Sequence, residues 1–417
     1  MNRVRVWLLA AVVALGGCDA VLPDAPADDE VLEGPIDGLA GEQLAAHLAG
    51  DAEFARNFGA ADGVGPIFVA QACASCHVGD GKGHPVFNLT RFGRMTAGGF
   101  DPMRAHGGPQ IQHRALPGHP PERVPGTATG VSVFMAPSVT GLGLIEAVDD
   151  ATILALADPD DRDGDGISGR AQLLAPSDLI ATVARLELLF DPGEPGRHRP
   201  IDGRYLGRFG KKAGAINLLH QTVTAYREDM GLTTDLILED PGTPEAGVFA
   251  GDGVPDPEVG SSIVASVVFY LKTLRPPPRR RPADPEVLAG EALFAAIGCA
   301  KCHRPTLTTG PSRIKPLDRV AFHPYSDLLL HDMGPELDDG YTEGSALTAE
   351  WRTAPLWGLG LAERAQGGQA FYLHDGRART LEAAIEFHGG EGAASRAAFR
   401  ALPSGDAARL IAFLRSL

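Results

Sequence analysis

Two short segments constrain this chain more than any others: Cys73-Ala-Ser-Cys76-His77 and Cys299-Ala-Lys-Cys302-His303. Each sets two thiols three positions apart with a histidine directly after them. On one tight turn that spacing lets both thiols reach the vinyl groups along one edge of a haem, and the imidazole then points at the iron from below. A single CxxCH also reads as half a zinc site or as a redox dithiol. The chain has 5 cysteines, the fifth being Cys18, so no thiol is left for a disulfide framework. Two copies in one chain favour haem. Two covalently bound c-type haems are expected at Cys73, Cys76, Cys299 and Cys302, with His77 and His303 as proximal iron ligands.

The first residues carry Arg3 and Arg5, an apolar run from Val6 to Leu15, and then Gly16-Gly17-Cys18. This reads as an export signal, too short to remain as a membrane span. The small residues before Cys18 match a bacterial lipobox, in which that cysteine is freed and acylated. The alternative is an ordinary cleaved signal with an incidental cysteine. The expectation is a lipoprotein signal peptide at 1–17, a flexible spacer at 18–55, and a periplasmic protein held to the membrane by lipid at Cys18. Export agrees with haem, because c-type haem is attached outside the cytoplasm. With 37 Lys and Arg against 53 Asp and Glu, the charge of −16 would repel phosphate backbones and excludes nucleic acid as a natural partner. It suits a small basic redox protein better.

The sequence echoes itself around the two motifs. Phe68 and Phe294 each stand five positions before the first cysteine, where a ring would pack on porphyrin. Ala136-Pro137-Ser138-Val139-Thr140-Gly141-Leu142-Gly143-Leu144 resembles Ala354-Pro355-Leu356-Trp357-Gly358-Leu359-Gly360-Leu361. Apolar helical stretches at 267–274 and 410–417 close the two halves. Such echoes mean duplicated modules. Arg275-Pro276-Pro277-Pro278-Arg279 cannot be helical and marks a boundary. The expected fold is mainly α: two cytochrome c-like helical domains related by internal duplication. They would span 56–275 and 285–417, joined by a Pro/Arg linker at 276–284, with long Gly/Pro-rich loops reflecting 52 Gly and 33 Pro.

Together these features resemble the bacterial di-haem cytochrome c peroxidase and MauG superfamily, and within it the di-haem oxidoreductases often labelled thiol oxidoreductases. The likeness rests on both CxxCH motifs, on Ala136-Pro137-Ser138-Val139, and above all on Tyr372-Leu373-His374-Asp375-Gly376 followed by Thr380-Leu381-Glu382. Tyr325 to Gly334 and Gly207 to Ala213 carry hallmarks of the narrower group, although Lys211 stands where that group tends to have Trp. The resemblance implies an oxidoreductase in which electrons enter at the C-terminal haem. They are then used at the N-terminal haem to reduce peroxide or to drive a MauG-like oxidation of a protein side chain. The alternative is a non-catalytic electron carrier with both irons six-coordinate.

In that family a sixth ligand follows the Thr-Leu-Glu helix start by seven residues after the Leu, which here is His388; Met333 and His374 compete with it. Glu146 is a candidate proton shuttle, or else a solvated carboxylate near a helix start. His106, with Gly107, resembles the reversible distal histidine of the peroxidases. Asp161, Asp163 and Asp165 before Gly166 have the alternating oxygens and turn glycine of a calcium loop, although its twelfth position is Gln172. The other reading of that loop is an acidic solvated turn.

Overall fold

The computed structural model describes residue 32 and residues 34–190, 197–242 and 251–417. The expected signal peptide, the acylation site at Cys18 and the first part of the spacer lie outside these. None of the described helices is long and apolar enough to cross a membrane.

In chain order the α-helices of the described residues are α1 (Glu42–Ala55), α2 (Cys73–Cys76), α3 (Leu142–Glu146), α4 (Asp150–Leu154), α5 (Asp178–Phe190) and α6 (Leu218–Met230). Then follow α7 (Ser261–Thr273), α8 (Pro285–Ala296), α9 (Ala362–Ala365), α10 (Leu381–Glu386), α11 (Ala393–Arg400) and α12 (Ser404–Ser416). Between them run short strands. Residues 99–101, 89–96 and 130–134 form a three-stranded antiparallel sheet, and the described residues also hold four two-stranded sheets.

The expected pair of mainly helical, cytochrome c-like domains is therefore corrected to a mixed architecture, in which five small sheets share the chain with the helices. The physical reason is the density of Gly and Pro. Extended segments too short to support long strands still satisfy their backbone groups by pairing two or three residues at a time, as at 330–332 with 350–352. The first core is not confined to the residues before the Pro/Arg segment. Leu307, Leu317, Phe322 and Leu328, from beyond the Pro/Arg segment, pack into the same core as Phe54, Ile145, Val223 and Val267. The second core gathers Val287, Phe294, Tyr325, Leu381, Leu410 and Phe413. Arg280 N–H donates to Ser416 O (2.7 Å) and Arg279 pairs with Glu291 (2.8 Å), so residues 276–284 lie against the second half.

A repeated framework does exist, at the level of helix crossings. A side chain at Gly50 of α1 would collide with Ser266 O of α7, and one at Gly290 of α8 with Arg409 O of α12. Six residues further along each partner, Gly143 meets Lys272 O and Gly360 meets Arg415 O in the same way. The echoes on either side of the glycine turns thus build equivalent close approaches. Asp284 caps α8 by accepting from Glu286 N (2.9 Å), with Pro285 at the first helical position.

Candidate functional site

Both CxxCH motifs open into one cavity of about 1350 Å³, lined by Cys73, Cys76, His77, Cys299, Cys302, His303 and His388 among others. That exceeds the roughly 300–1,000 Å³ of a single small-ligand pocket and suits two large planar groups. Cys73–Cys76 is itself the short helix α2, and Cys299–Lys301 a 3₁₀ turn.

Three histidines face this space in the same manner. His77 Nδ1–H donates to Pro137 O (2.8 Å), His303 Nδ1–H to Tyr325 O (3.0 Å), and His388 Nδ1–H to Ala384 O (2.8 Å). Each is thereby left with Nε2 as its lone-pair nitrogen, the arrangement of a metal-ligating imidazole. Burial pushes His77 and His303 down to about 4, which keeps both rings neutral. His303 and His388 face one another, with ring centres 6.4 Å apart and planes at 48°. Among the described residues no second histidine ring stands opposite His77 in this way; its ring neighbour is Phe54, at 6.0 Å.

The thiols are unbridged. Burial pushes Cys73, Cys76 and Cys299 up to about 12, so these are poor thiolates, which argues against a redox dithiol. Among the described residues neither CxxCH brings its own two sulfurs and histidine together as a cluster; Cys302 lies instead with Asp327 and His331, their ligand atoms within 4.8 Å of one another. A cavity bordered by thiols and neutral imidazoles fits haem.

The other expected residues fall elsewhere. Glu146 is buried outside this cavity: its Oε1 accepts from Leu218 N (2.6 Å) and its Oε2 lies 3.0 Å from Lys272 Nζ. His106 closes a short 3₁₀ turn and does not line the cavity either. His374 does, but its Nε2–H donates to Asp339 Oδ2 (2.7 Å) and its ring stacks on Trp351 at 3.7 Å. Met333 reaches the cavity wall while packing with Leu337, Trp351 and Phe387. Asp161, Asp163 and Asp165 bring carboxylate oxygens within 4.8 Å of one another, and Lys301, inside the second CxxCH, pairs with Asp165 (3.0 Å). Gln172 is not part of that cluster; it is buried and donates to Glu343 O (2.7 Å).

Sequence spacing also missed residues. Phe294 packs by His303, at 6.2 Å, whereas Phe54 of α1 takes the corresponding place beside His77 and Phe68 lies in a strand paired with Arg114. Pro66 just before that strand rules out a helix like α8 there. Glu122, which burial raises to about 7, lines the cavity, as do Lys82 and Lys211. No motif marks Glu122 or Lys82, and Lys211 stands out in the sequence only as a departure within the Gly207 to Ala213 stretch.

The family model described as "Di-haem oxidoreductase, putative peroxidase" matches residues 11–92 and 129–417. The chain belongs to the di-haem oxidoreductase family. Haem is accordingly its cofactor, and the family's peroxidase-like description is the coarse statement of its chemistry. No curated protein matches this di-haem oxidoreductase. Among solved structures it is similar to Kuenenia stuttgartiensis hydrazine synthase, from crystals pressurised with xenon. That likeness has a TM-score of 0.36 and 14% identity over 100% of both chains, too slight to inform either fold or chemistry.

Proposed function

We propose that this di-haem oxidoreductase is an exported, lipid-anchored protein with two covalent c-type haems, which takes electrons at the C-terminal haem and uses them at the N-terminal haem to reduce peroxide. One observation carries the reading: the two proximal histidines differ in what faces them. A metal–nitrogen bond of about 2.0–2.1 Å plus about 1.1 Å to the ring centre puts each ligating ring centre roughly 3.2 Å from a metal. Twice that is close to the 6.4 Å between His303 and His388. His77 has no such partner among the described residues, which favours a six-coordinate electron-transfer site beside a site with an open face.

Held by Cys73, Cys76 and His77, haem would supply one-electron exchange and cleavage of an O–O bond. The residues do the rest. His77, held by Pro137 O, supports the reactive side; His303 and His388 fix the electron-receiving side; Phe54 and Phe294 exclude water from the two proximal histidines. Hydrogen peroxide needs two electrons and two protons to become two waters. The electrons come from a small redox protein, for which the acidic surface favours a basic partner. Glu122, on the cavity wall, accepts one N–H from Gln112 (3.0 Å) and stands where a proton can be held near neutral pH. Calcium at Asp161, Asp163 and Asp165 has a structural role in this reading.

The test is an EPR and optical spectrum of the purified protein as isolated and after one-electron reduction, with haem content by mass spectrometry. One high-spin and one low-spin ferric haem, the former responding to peroxide, is the expected result. Two low-spin haems indifferent to peroxide would replace the enzyme with a carrier.

A further inference from the structure

Lys82, Lys211 and Arg352 bring three cationic side chains to the wall of the cavity. Lys82 lies five residues past His77, and Lys211 follows the turn at Gly210. Arg352, ending the strand 350–352, is tied to that turn: its N–H donates to Lys211 O (2.9 Å) and its Nε to Gly210 O (2.9 Å). Lys82, on the segment that leads directly out of the first CxxCH, sets the cluster on that motif's side of the cavity; Lys82 and Arg352 both repel Lys211, and Lys211 acts on the ring of His77.

The carboxylates that bear on this cluster are already engaged elsewhere: Asp327, which acts on Arg352, is paired with His331 Nε2 at 2.9 Å. Asp375 is the carboxylate that bears on both lysines, but it accepts from Arg377 Nε at 2.7 Å and from Arg377 N at 2.9 Å. The contrast with Lys212 is informative. That neighbour spends its Nζ on the carbonyls of Leu347, Thr348 and Glu350, at 3.3, 2.9 and 2.6 Å, and so completes a structural contact. The amines of Lys82 and Lys211 make no hydrogen bond or ion pair to another described side chain. Burial, then mutual repulsion, lowers Lys211 well below the usual range, and burial brings Lys82 down to about 8. Like charges gathered in a dehydrated cavity are destabilising unless a negative group sits among them.

A haem presents two carboxylates on the edge opposite the vinyl groups. We infer that Lys82, Lys211 and Arg352 form the seat of the propionate carboxylates of the first haem. The inference rests on the di-haem reading and adds to it: the seat sets the charge beside one iron, and so its reduction potential.

Removing a positive charge next to a haem favours the ferric state. Lys211→Gln in the full-length holoprotein should shift the reduction equilibrium of the first haem about tenfold toward ferric, which for one electron is about 59 mV. Lys82→Gln should move it the same way, and Lys211→Arg should stay near the parent. The exposed Lys315→Gln is the control. Spectroelectrochemical titration reads each haem separately, and pyridine haemochrome assays on the same samples count them. Two haems per chain with both potentials unmoved in Lys211→Gln and Lys82→Gln would overturn the seat while leaving the di-haem reading intact. A parent protein without haem would overturn both. Loss of a low-spin signal in Lys211→Gln would make the amine an iron ligand and also overturn the seat, as would a shift confined to the second haem. If Lys211→Gln does not accumulate, Lys82→Gln and Lys211→Arg still decide.

Discussion

Lys272 reaches Glu146 from the last turn of α7, its Nζ 3.0 Å from Glu146 Oε2, with both side chains buried and Glu187 on the other side of the amine. Burial works against this charge, but the two carboxylates hold the Lys272 amine above its usual range. Replacing Lys272 by Met strands two buried carboxylates, and breaking a buried pair from one side costs about 3–5 kcal/mol. Lys272→Met should therefore lower the melting temperature strongly. Glu146→Gln should destabilise less and leave peroxide turnover per loaded molecule unchanged, because Glu146 lies outside the cavity. A Glu146→Gln protein that melts normally and has lost turnover would return Glu146 to the role of proton shuttle.

That residue shows where sequence reasoning ran out. The chemistry of CxxCH is legible because thiols and imidazole are contiguous and their spacing is itself the geometry. That His388 reaches the cavity wall follows an interval counted from Leu381, although α10 ends at Glu386 before it, and the glycine turns are legible through their echo. Glu146 is three residues past Gly143, but those three residues carry it round α3, away from the cavity and onto α7, a rotation that no spacing rule reports. The sheets were illegible for another reason. A two-residue pair such as 67–68 with 114–115 has no period to detect, and its partner is remote in sequence. Lys211 and Glu122 gain meaning only from the wall they share with both motifs.

Glu122 gives the stability a pH dependence with a defined sign. Burial raises its folded-state value to about 7, against an ordinary 4.5, so the folded protein binds the proton more tightly than the unfolded chain does. Stability from this group is full below about 4.5, falls as pH rises toward 7, and stays reduced above that. With allowance for partial solvent contact, the loss is about 1–2 kcal/mol. Glu122→Gln should flatten melting temperature against pH across this window and stabilise the protein at pH 8. An unchanged pH profile in the variant would assign the dependence to other groups.

The acidic loop offers a metal test. Asp161 accepts from Gly166 N (3.1 Å), Asp163 accepts from Asp165 N (3.2 Å) and Asp165 pairs with Lys301, so all three carboxylates already have partners that a cation would have to compete with. Calcium is nevertheless expected to raise the melting temperature by binding the folded loop, and Asp163→Ala to abolish the rise. Because Lys301 lies between Cys299 and Cys302, the optical spectrum of the second haem should respond slightly to calcium as well. Chelator without effect on melting, together with no calcium by elemental analysis, would leave the loop as an acidic turn braced by Lys301.

His388 is the residue on which the asymmetry of the two sites depends. Its Nδ1–H is held by Ala384 O on α10, which leaves Nε2 as the lone-pair nitrogen of a ring whose centre lies 6.4 Å from that of His303. A His–His iron is low-spin and lacks the weak sulfur-to-iron absorption that methionine produces. His388→Ala should convert the second haem to high-spin and open it to cyanide, while the first haem keeps its spectrum, because His77 is held separately by Pro137. Stability should fall less than in Lys272→Met, since no charge is stranded. His388→Met should restore six-coordination and raise the potential, because thioether stabilises ferrous iron more than imidazole does. Met333→Ala should do neither, its side chain being part of the Trp351 and Leu337 packing. If Met333→Ala gives the high-spin conversion and His388→Ala leaves both haems alone, the second haem is a His–Met centre and the 6.4 Å facing of the two rings has another cause.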